Sequence, residues 1–193
     1  MESELYKRYA LLKASGRRNE AKACLDAFLA SFKTLAEKQL WVFEFLESGD
    51  FGHKIRHEIY EELIYPVLLD GYLKQDPDSV EWLAKTTSNL HEMKSPHPSL
   101  WRKGEYTLLR EAYELRPRSE LGAILLQKLL REFEYAHHEW PMGILYGSDG
   151  ATKHECEEYL RDIEFARSLD TDLKHSEYLN LFEAQVREYL GRI

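Results

Sequence analysis

Apolar side chains recur every three to four residues along most of the chain, the spacing that gives a helix one apolar face. No segment alternates apolar and polar residues with the Val, Ile and Thr enrichment of a strand. The sequence therefore predicts an all-α protein of about nine helices. The clearest helical face lies in residues 19–32 and consists of Ala21, Cys24, Leu25, Phe28, Leu29 and Phe32.

Capping residues predict where several helices begin. Asn19 is a candidate N-cap for the second helix, because its side chain can accept a hydrogen bond from a free backbone N–H of the first turn. Thr34 with Glu37, and Thr152 with Glu155, have the spacing of a capping box, in which side chain and backbone bond reciprocally. Ser119 is a further candidate cap, and each of these positions precedes an apolar helical pattern.

Prolines and glycines predict the other boundaries. Pro66 predicts a kink or an end in a helix that starts near Gly52, because proline lacks the backbone N–H and its ring clashes with the preceding turn. A later helix is expected over about residues 99–115, with Trp101 facing inward. The predicted starts lie near residues 3, 19, 34, 52, 79, 99, 119, 152 and 175. Successive short connections predict antiparallel hairpins within a single domain, residues 1–193.

Two segments resemble parts of the tetratricopeptide repeat. Gly16 is followed five residues later by Ala21, as at the inter-helix turn of that repeat, and residues 111–117, EAYELRP, resemble its closing helix. The resemblance covers about a third of the chain. It implies an irregular solenoid or bundle of stacked hairpins that binds proteins or peptides on the first helices, where Tyr6, Lys13 and Arg17 would face the partner.

The charge distribution limits the partners. The net charge is −8, and the first 38 residues are mildly basic whereas the remainder is acidic. We expect no nucleic-acid binding, because phosphate contacts require clustered Lys and Arg. An acidic surface can steer a partner with a basic face, although in many proteins it serves solubility alone.

The sequence favours a cytoplasmic protein. The N-terminus lacks the apolar stretch of a signal peptide, and no uninterrupted apolar run reaches the length of a membrane span. Cys24 and Cys156 both fall at apolar positions of helical patterns, which is typical of buried, reduced thiols. We therefore expect neither secretion nor a membrane-spanning segment.

Residues 139–151 form one long irregular stretch with several glycines, and loops of this length are often functional. Its large apolar residues either fold back onto the core or form a recognition surface. Both interpretations stay open from the sequence. Trp140, Met142 and Tyr146 are the candidate contact residues if the loop is exposed.

The sequence also contains candidate metal ligands, which are the basis of an alternative function. His53 and His57 are four residues apart on one predicted helical face, with Glu61 one turn farther along, so the three could share a metal ion. Glu134 and His137 have the Glu-x-x-His spacing of di-iron bundles, but the second such pair that those bundles require is absent from the sequence. No complete nucleophilic or metal-ligating set occurs.

The sequence thus predicts a non-enzymatic interaction module, without a cofactor, that binds, adapts or neutralises a protein or peptide partner or a second copy of itself. The competing hypothesis is a metal-dependent helical enzyme that uses the histidines and glutamates named above.

Overall fold

The computed structural model describes residues 2–49, 55–145 and 150–193, with the side chains of Glu2 and Ser3 left aside. Within these ranges the chain contains helices and no strand, and nine helices there have seven residues or more. The prediction of an all-α protein with about nine helices is confirmed. The sequence also predicted a single domain, and the chain of the structure divides into two compact units, Met1–Leu115 and Arg116–Ile193.

In the part of unit 1 that the structure describes, two short helical segments are not α-helical. One is a π-helical segment, Tyr60–Ile64, and the other is a 3₁₀ turn, Pro98–Leu100. The α-helices of unit 1 are α1 (Glu2–Ala14), α2 (Arg18–Ser31), α3 (Leu35–Ser48), α4 (His57–Ile59), α5 (Tyr65–Leu73), α6 (Pro77–Lys85), α7 (Thr87–Glu92) and α8 (Glu105–Leu115).

An aromatic cluster holds α1, α2 and α3 together. Trp41 of α3 stacks on Phe45 with ring centroids 4.7 Å apart, and it meets Phe28 of α2 edge-on at 5.0 Å. Tyr6 of α1 lies 5.5 Å from Trp41 and also contacts Phe28. Such pairs each contribute about 0.5–1.5 kcal/mol beyond the burial of their area. This cluster fixes the N-terminal part of unit 1.

The turn between α1 and α2 depends on a glycine. Gly16 has a φ of +75°, and the next residue, Arg17, donates its N–H to the Leu12 carbonyl, as expected of a left-handed helix end. This turn passes directly into α2 at Arg18, so the N-cap position falls on Arg17 and has no side-chain cap. The prediction of Asn19 as N-cap is therefore wrong, because Asn19 already lies inside the first helical turn.

Both predicted capping boxes are confirmed. Thr34 accepts a hydrogen bond from the Glu37 N–H at the start of α3, and Thr152 accepts one from the Glu155 N–H at the start of the helix Lys153–Leu169. In each pair the glutamate side chain also accepts from the backbone N–H of the threonine. Hydrogen bonds lower the pKa of both glutamates below the ordinary value: those from the Lys33 and Thr34 N–H groups for Glu37, and those from the Thr152 hydroxyl and N–H for Glu155.

Pro66 does not end its helix. The predicted start near Gly52 lies outside the described residues, and the described helix begins at His57 and passes through the π segment into α5. The wider π turn precedes the proline, whose missing N–H leaves the Glu62 carbonyl without its usual helical donor. Lys38 of α3 donates to that carbonyl at 2.7 Å. The segment after Pro66 continues to Lys74 as predicted, with Lys74 as the C-cap.

The predicted helix over residues 99–115 is shorter than expected. Trp101 is extended and Arg102 has a φ of +65°, so the helix cannot propagate from the 3₁₀ turn and α8 begins only at Glu105. Trp101 is 69% exposed. The prediction that Trp101 faces inward is wrong, because this residue lies outside the helix whose periodicity was applied to it.

Unit 2 is formed by α9 (Ser119–His137), α10 (Lys153–Leu169) and α11 (Ser176–Leu190), with a 3₁₀ turn at Trp140–Met142. Helix α10 packs against both α9 and α11. Phe133 and Phe182 stack with centroids 4.9 Å apart, and Tyr159 meets both ring edges. Cys156 is fully buried among these helices, and burial raises the pKa of its thiol.

The helices of the described residues are too short or too polar to cross a lipid bilayer.

Candidate ligand-binding groove

A groove with a volume of about 410 Å³ opens on unit 1. Its walls come from α5, α6, α8 and the 3₁₀ turn before α8. Cavities of this size accommodate a small molecule or a few side chains of a peptide. The residues that line the groove are Tyr72, Leu73, Gln75, Val80, Ser99, Glu111, Glu114 and Leu115.

The groove has an apolar floor and an apolar rim. Val80 is only 1% exposed and lies at the floor, whereas Leu73 is 56% and Leu115 is 40% exposed at the rim. About half of each rim leucine can therefore still be covered. Covering it would contribute roughly 1 kcal/mol per leucine, since complete burial of a leucine side chain is worth about 1.5–3 kcal/mol.

The sharp turn between α5 and α6 positions the Tyr72 end of the groove. Asp76 donates its N–H to the Gly71 carbonyl at 2.9 Å and Gln75 donates to Tyr72 at 3.0 Å, the pattern of a Schellman motif. Gln75 takes the left-handed position of that motif, with a φ of 58°. The Asp76 side chain then caps α6 by accepting from the Ser79 N–H at 3.0 Å.

Because Gly71 has no side chain, α5 and α6 can pack closely together next to this turn. A Cβ atom on Gly71 would lie 2.0 Å from Ser79 Oγ and 2.5 Å from Ser79 Cβ, both far below van der Waals contact. Ser79 is 2% exposed and has little room to move. The spacing of the two helices that line the groove therefore requires glycine at position 71.

The carboxylate of Glu111 already has a partner within the chain, the ammonium of Lys103. This ammonium forms an ion pair with Glu111 and donates to the Tyr72 hydroxyl at 2.7 Å, and the two ion-paired side chains are only 25% and 30% exposed. Burial would lower the pKa of Lys103, but the hydrogen bonds and charge of Glu111 and Tyr72 outweigh it and raise the pKa above the ordinary value.

Glu114 has a different environment. Its carboxylate accepts from Arg110 Nε at 3.1 Å, a pair one helical turn apart on α8, and its side chain is 60% exposed. The two charged residues in the groove lining are thus both acidic, but their ion pairs differ in exposure. The side chains of Lys103 and Glu111 are 25% and 30% exposed, whereas those of Arg110 and Glu114 are 36% and 60% exposed. The arrangement can bind an apolar group together with a positive charge.

The candidate residues from the tetratricopeptide resemblance do not come together at this groove. Tyr6 is half-buried in the aromatic cluster of α1 to α3. Lys13 is exposed at the end of α1, and Arg17 is exposed and forms an ion pair with Glu20. Of these three candidates, Lys13 and Arg17 therefore present a charged side chain at the surface.

The loop candidates divide between the two interpretations. Met142 is 77% exposed, whereas Leu145, farther along the same loop, is fully buried. Trp140 is half-buried with the Arg192 guanidinium 5.3 Å from its ring centroid, and Arg192 also donates to the Gly143 carbonyl at 3.2 Å. Tyr146 lies outside the described residues. The loop thus folds back in part and exposes Met142.

Two of the candidate metal ligands, His57 and Glu61, pair with each other, and His137 has a different partner. His53 lies outside the described residues, and His57 contacts Glu61 at 3.1 Å with both side chains partly exposed. His137 forms a hydrogen bond of 2.6 Å between Nδ1 and the buried Gln185 side chain, while Glu134 is exposed. Across the described residues, no group of three or more His, Cys, Asp or Glu side chains could hold a metal ion.

Sequence reasoning missed the groove because its lining comes from four separate segments. One usable signal was present on α8, where Glu111, Glu114 and Leu115 are spaced i, i+3 and i+4 and so share a face. This face carries a partly exposed leucine beside two carboxylates.

No family model, no curated protein and no solved structure matches this chain. The resemblance to the tetratricopeptide repeat stays a prediction.

Proposed function

We propose that this chain is a cytoplasmic, non-enzymatic interaction protein of irregular helical-hairpin type that binds a basic and apolar segment of a partner protein in the unit 1 groove. The observation that carries the proposal is the presence of half-exposed leucines and glutamates in the same cavity. The proposal takes one of the two interpretations of the acidic surface, that it steers a partner with a basic face, rather than the interpretation that it serves solubility alone.

Apolar contact supplies affinity in this proposal. Leu73 and Leu115 retain about half of their surface exposed at the rim of a concave site, where an apolar ligand side chain can cover both at once. A volume of about 410 Å³ is suited to one or two large side chains of a peptide. Binding through a few anchored side chains is the usual mode of peptide recognition.

Charge supplies the preference for a basic segment. Glu111 and Glu114 are the charged members of the groove lining, and the whole chain has a net charge of −8. A positive ligand is therefore attracted at long range and meets carboxylate at short range. An acidic segment would meet like charge on both scales.

A random peptide library displayed on phage and selected against the immobilised full chain tests this function. We expect enriched peptides in which an apolar residue lies next to Lys or Arg. Leu115→Asn should weaken the binding of such a peptide about fivefold, which corresponds to about 1 kcal/mol. Isothermal titration calorimetry measures the effect.

Leu40→Asn is the matched control. Leu40 is 80% exposed on α3, also in unit 1, but it does not line the groove. It makes the same chemical change, and we expect it to leave the affinity within twofold, because a surface substitution outside a binding site has little effect. Absence of any enriched consensus would contradict the proposal, as would equal loss of affinity in both variants.

A further inference from the structure

We infer that the two glutamates of the groove have different roles: Glu114 pairs with the positive charge of the ligand, whereas Glu111 is a positioning residue already paired within the chain. The ligand group that fits is a primary ammonium at the end of an aliphatic chain, as in a lysine side chain. This inference rests on the proposed function of the groove and names the chemistry that it recognises.

Glu111 is unsuited to pair with a ligand because Lys103 would have to leave first. Lys103 bonds simultaneously to Glu111 and to the Tyr72 hydroxyl, and its Nζ lies 5.2 Å from the Tyr72 ring centroid. Displacement would leave a partly buried ammonium without its counter-charge, which is strongly unfavourable. Lys103 therefore neutralises Glu111 and braces Tyr72 at one end of the groove.

The backbone also fixes Lys103. His91 Nε2 donates to the Lys103 carbonyl at 3.1 Å, and the preceding residue, Arg102, takes a left-handed conformation with a φ of 65°. A left-handed conformation in a residue other than glycine persists only where surrounding contacts hold it. These contacts fix the Lys103 backbone at the position from which its side chain reaches Glu111 and Tyr72.

Glu114 can accept a ligand at low cost. Its side chain is 60% exposed, and its pair with Arg110 is of the exposed i, i+4 kind that contributes little to stability. A carboxylate offers more lone pairs than one guanidinium uses, so an incoming ammonium can share or replace Arg110. The neighbouring Leu115, 40% exposed, provides apolar contact for the methylene chain that carries the ammonium.

Three small probes separate charge recognition from apolar contact. Hexylammonium, hexanol and hexanoate share one alkyl chain and differ in charge, and their binding to the isotope-labelled full chain is measured by NMR titration of backbone amides. We expect hexylammonium to bind about three- to fivefold more tightly than hexanol, as an exposed ion pair allows. Hexanoate should bind most weakly, and added salt should reduce the preference for the cation.

Two groove variants and a control variant then test which glutamate causes the preference for the cation. Glu114→Gln should reduce the ratio of hexanol to hexylammonium dissociation constants to nearly one. Glu111→Gln should lower the ratio less, but it should lower the midpoint of thermal unfolding because Lys103 loses its counter-charge. Glu44→Gln removes one exposed carboxylate of α3 outside the groove and should leave both quantities unchanged.

The outcomes distinguish this inference from the proposed function. If no probe at millimolar concentration shifts the amide resonances of groove residues, the proposed function fails and the inference fails with it. If all three probes bind equally, or if Glu111→Gln abolishes the cation preference and Glu114→Gln retains it, the groove binds apolar groups but the assigned role of Glu114 is wrong.

Discussion

Gly71 sets the spacing of α5 and α6, so alanine at position 71 should destabilise unit 1. The added Cβ would lie 2.0 Å from Ser79 Oγ and 2.5 Å from Ser79 Cβ. Ordinary carbon contacts lie at about 3.5–4.0 Å. Rotation of the serine side chain can move its oxygen away but not its Cβ, so the helices themselves have to separate by about 1 Å.

The expected loss follows from two opposing effects. Overpacking of a well-packed contact costs about 1–3 kcal/mol. Alanine is favoured over glycine within a helix by about 0.5–1 kcal/mol, and this gain offsets part of the cost. We therefore expect Gly71→Ala to lower the free energy of unfolding by roughly 1–2 kcal/mol.

Urea unfolding of the full chain, followed by far-ultraviolet circular dichroism and tryptophan fluorescence, measures this loss. Trp82 on α6 reports on the helix that would be displaced. Gly104→Ala is the matched control, because Gly104 lies in unit 1 with no atom within 4 Å of an added Cβ. Because Gly104 is the N-cap of α8, where glycine is favoured over alanine, this control should lower the free energy of unfolding by up to about 1 kcal/mol, and its cost should be the same with serine or glycine at position 79.

A double-mutant cycle identifies the cause. Ser79→Gly removes both clashing atoms, so Gly71→Ala should cost less in that background, with a coupling energy of about 1 kcal/mol or more. If Gly71→Ala is as stable as the unsubstituted chain, or if the two substitutions are additive, close helix approach at Gly71 is not what limits this contact.

Three further predictions concern local backbone and charge. Gln75→Gly should raise the free energy of unfolding, measured by urea unfolding, by about 0.5–1 kcal/mol, because glycine takes a left-handed conformation without steric cost. An unchanged free energy of unfolding would contradict this prediction. Gly150→Ala should lower it by about 2 kcal/mol or more, since φ is +72° and an added Cβ would lie 2.1 Å from the Tyr189 hydroxyl. Tyr189→Phe should recover part of that loss if the contact causes it. Hydrogen bonds from Arg56 lower the pKa of Glu58 to about 2 in the folded chain. The ionised Glu58 therefore stabilises the fold at pH values above the ordinary glutamate pKa, and this stability is lost as pH falls towards 2. In Glu58→Gln, the midpoint of thermal unfolding should therefore depend less on pH over that range.

Local sequence signals predicted those parts of the fold that neighbouring residues alone determine. The capping boxes at Thr34 and Thr152 satisfy helix-end N–H groups with residues three positions away, so their spacing was sufficient to locate two helix starts. Pro66 shows the limit of that reasoning. Its local effect was a lost hydrogen bond, but the bond is replaced by Lys38 from another helix. Nothing near Pro66 in sequence reveals that donor.

The same limit explains why Trp101 was misplaced. Its spacing from Leu108 and Ala112 matches a helical face, and periodicity assumes that one helix continues through all three positions. The left-handed turn at Arg102 breaks that continuity. A non-glycine residue in this conformation gives no composition signal, because glycine or asparagine would have been the expected marker.

The selectivity proposed for the groove illustrates what only the tertiary structure supplies. Glu111 and Glu114 are the same residue type, one turn apart on one helix, and no local pattern distinguishes them. The difference comes from Lys103, which a strained turn directs towards Glu111, and from Tyr72, which α5 brings to the same ammonium. Because that ammonium neutralises Glu111 and leaves the more exposed Glu114 paired with Arg110, the groove presents a single exchangeable negative charge beside its leucines. A ligand with one cation on an aliphatic chain satisfies that arrangement, whereas a strongly polycationic ligand would have to break the Lys103 contacts to gain a second carboxylate there.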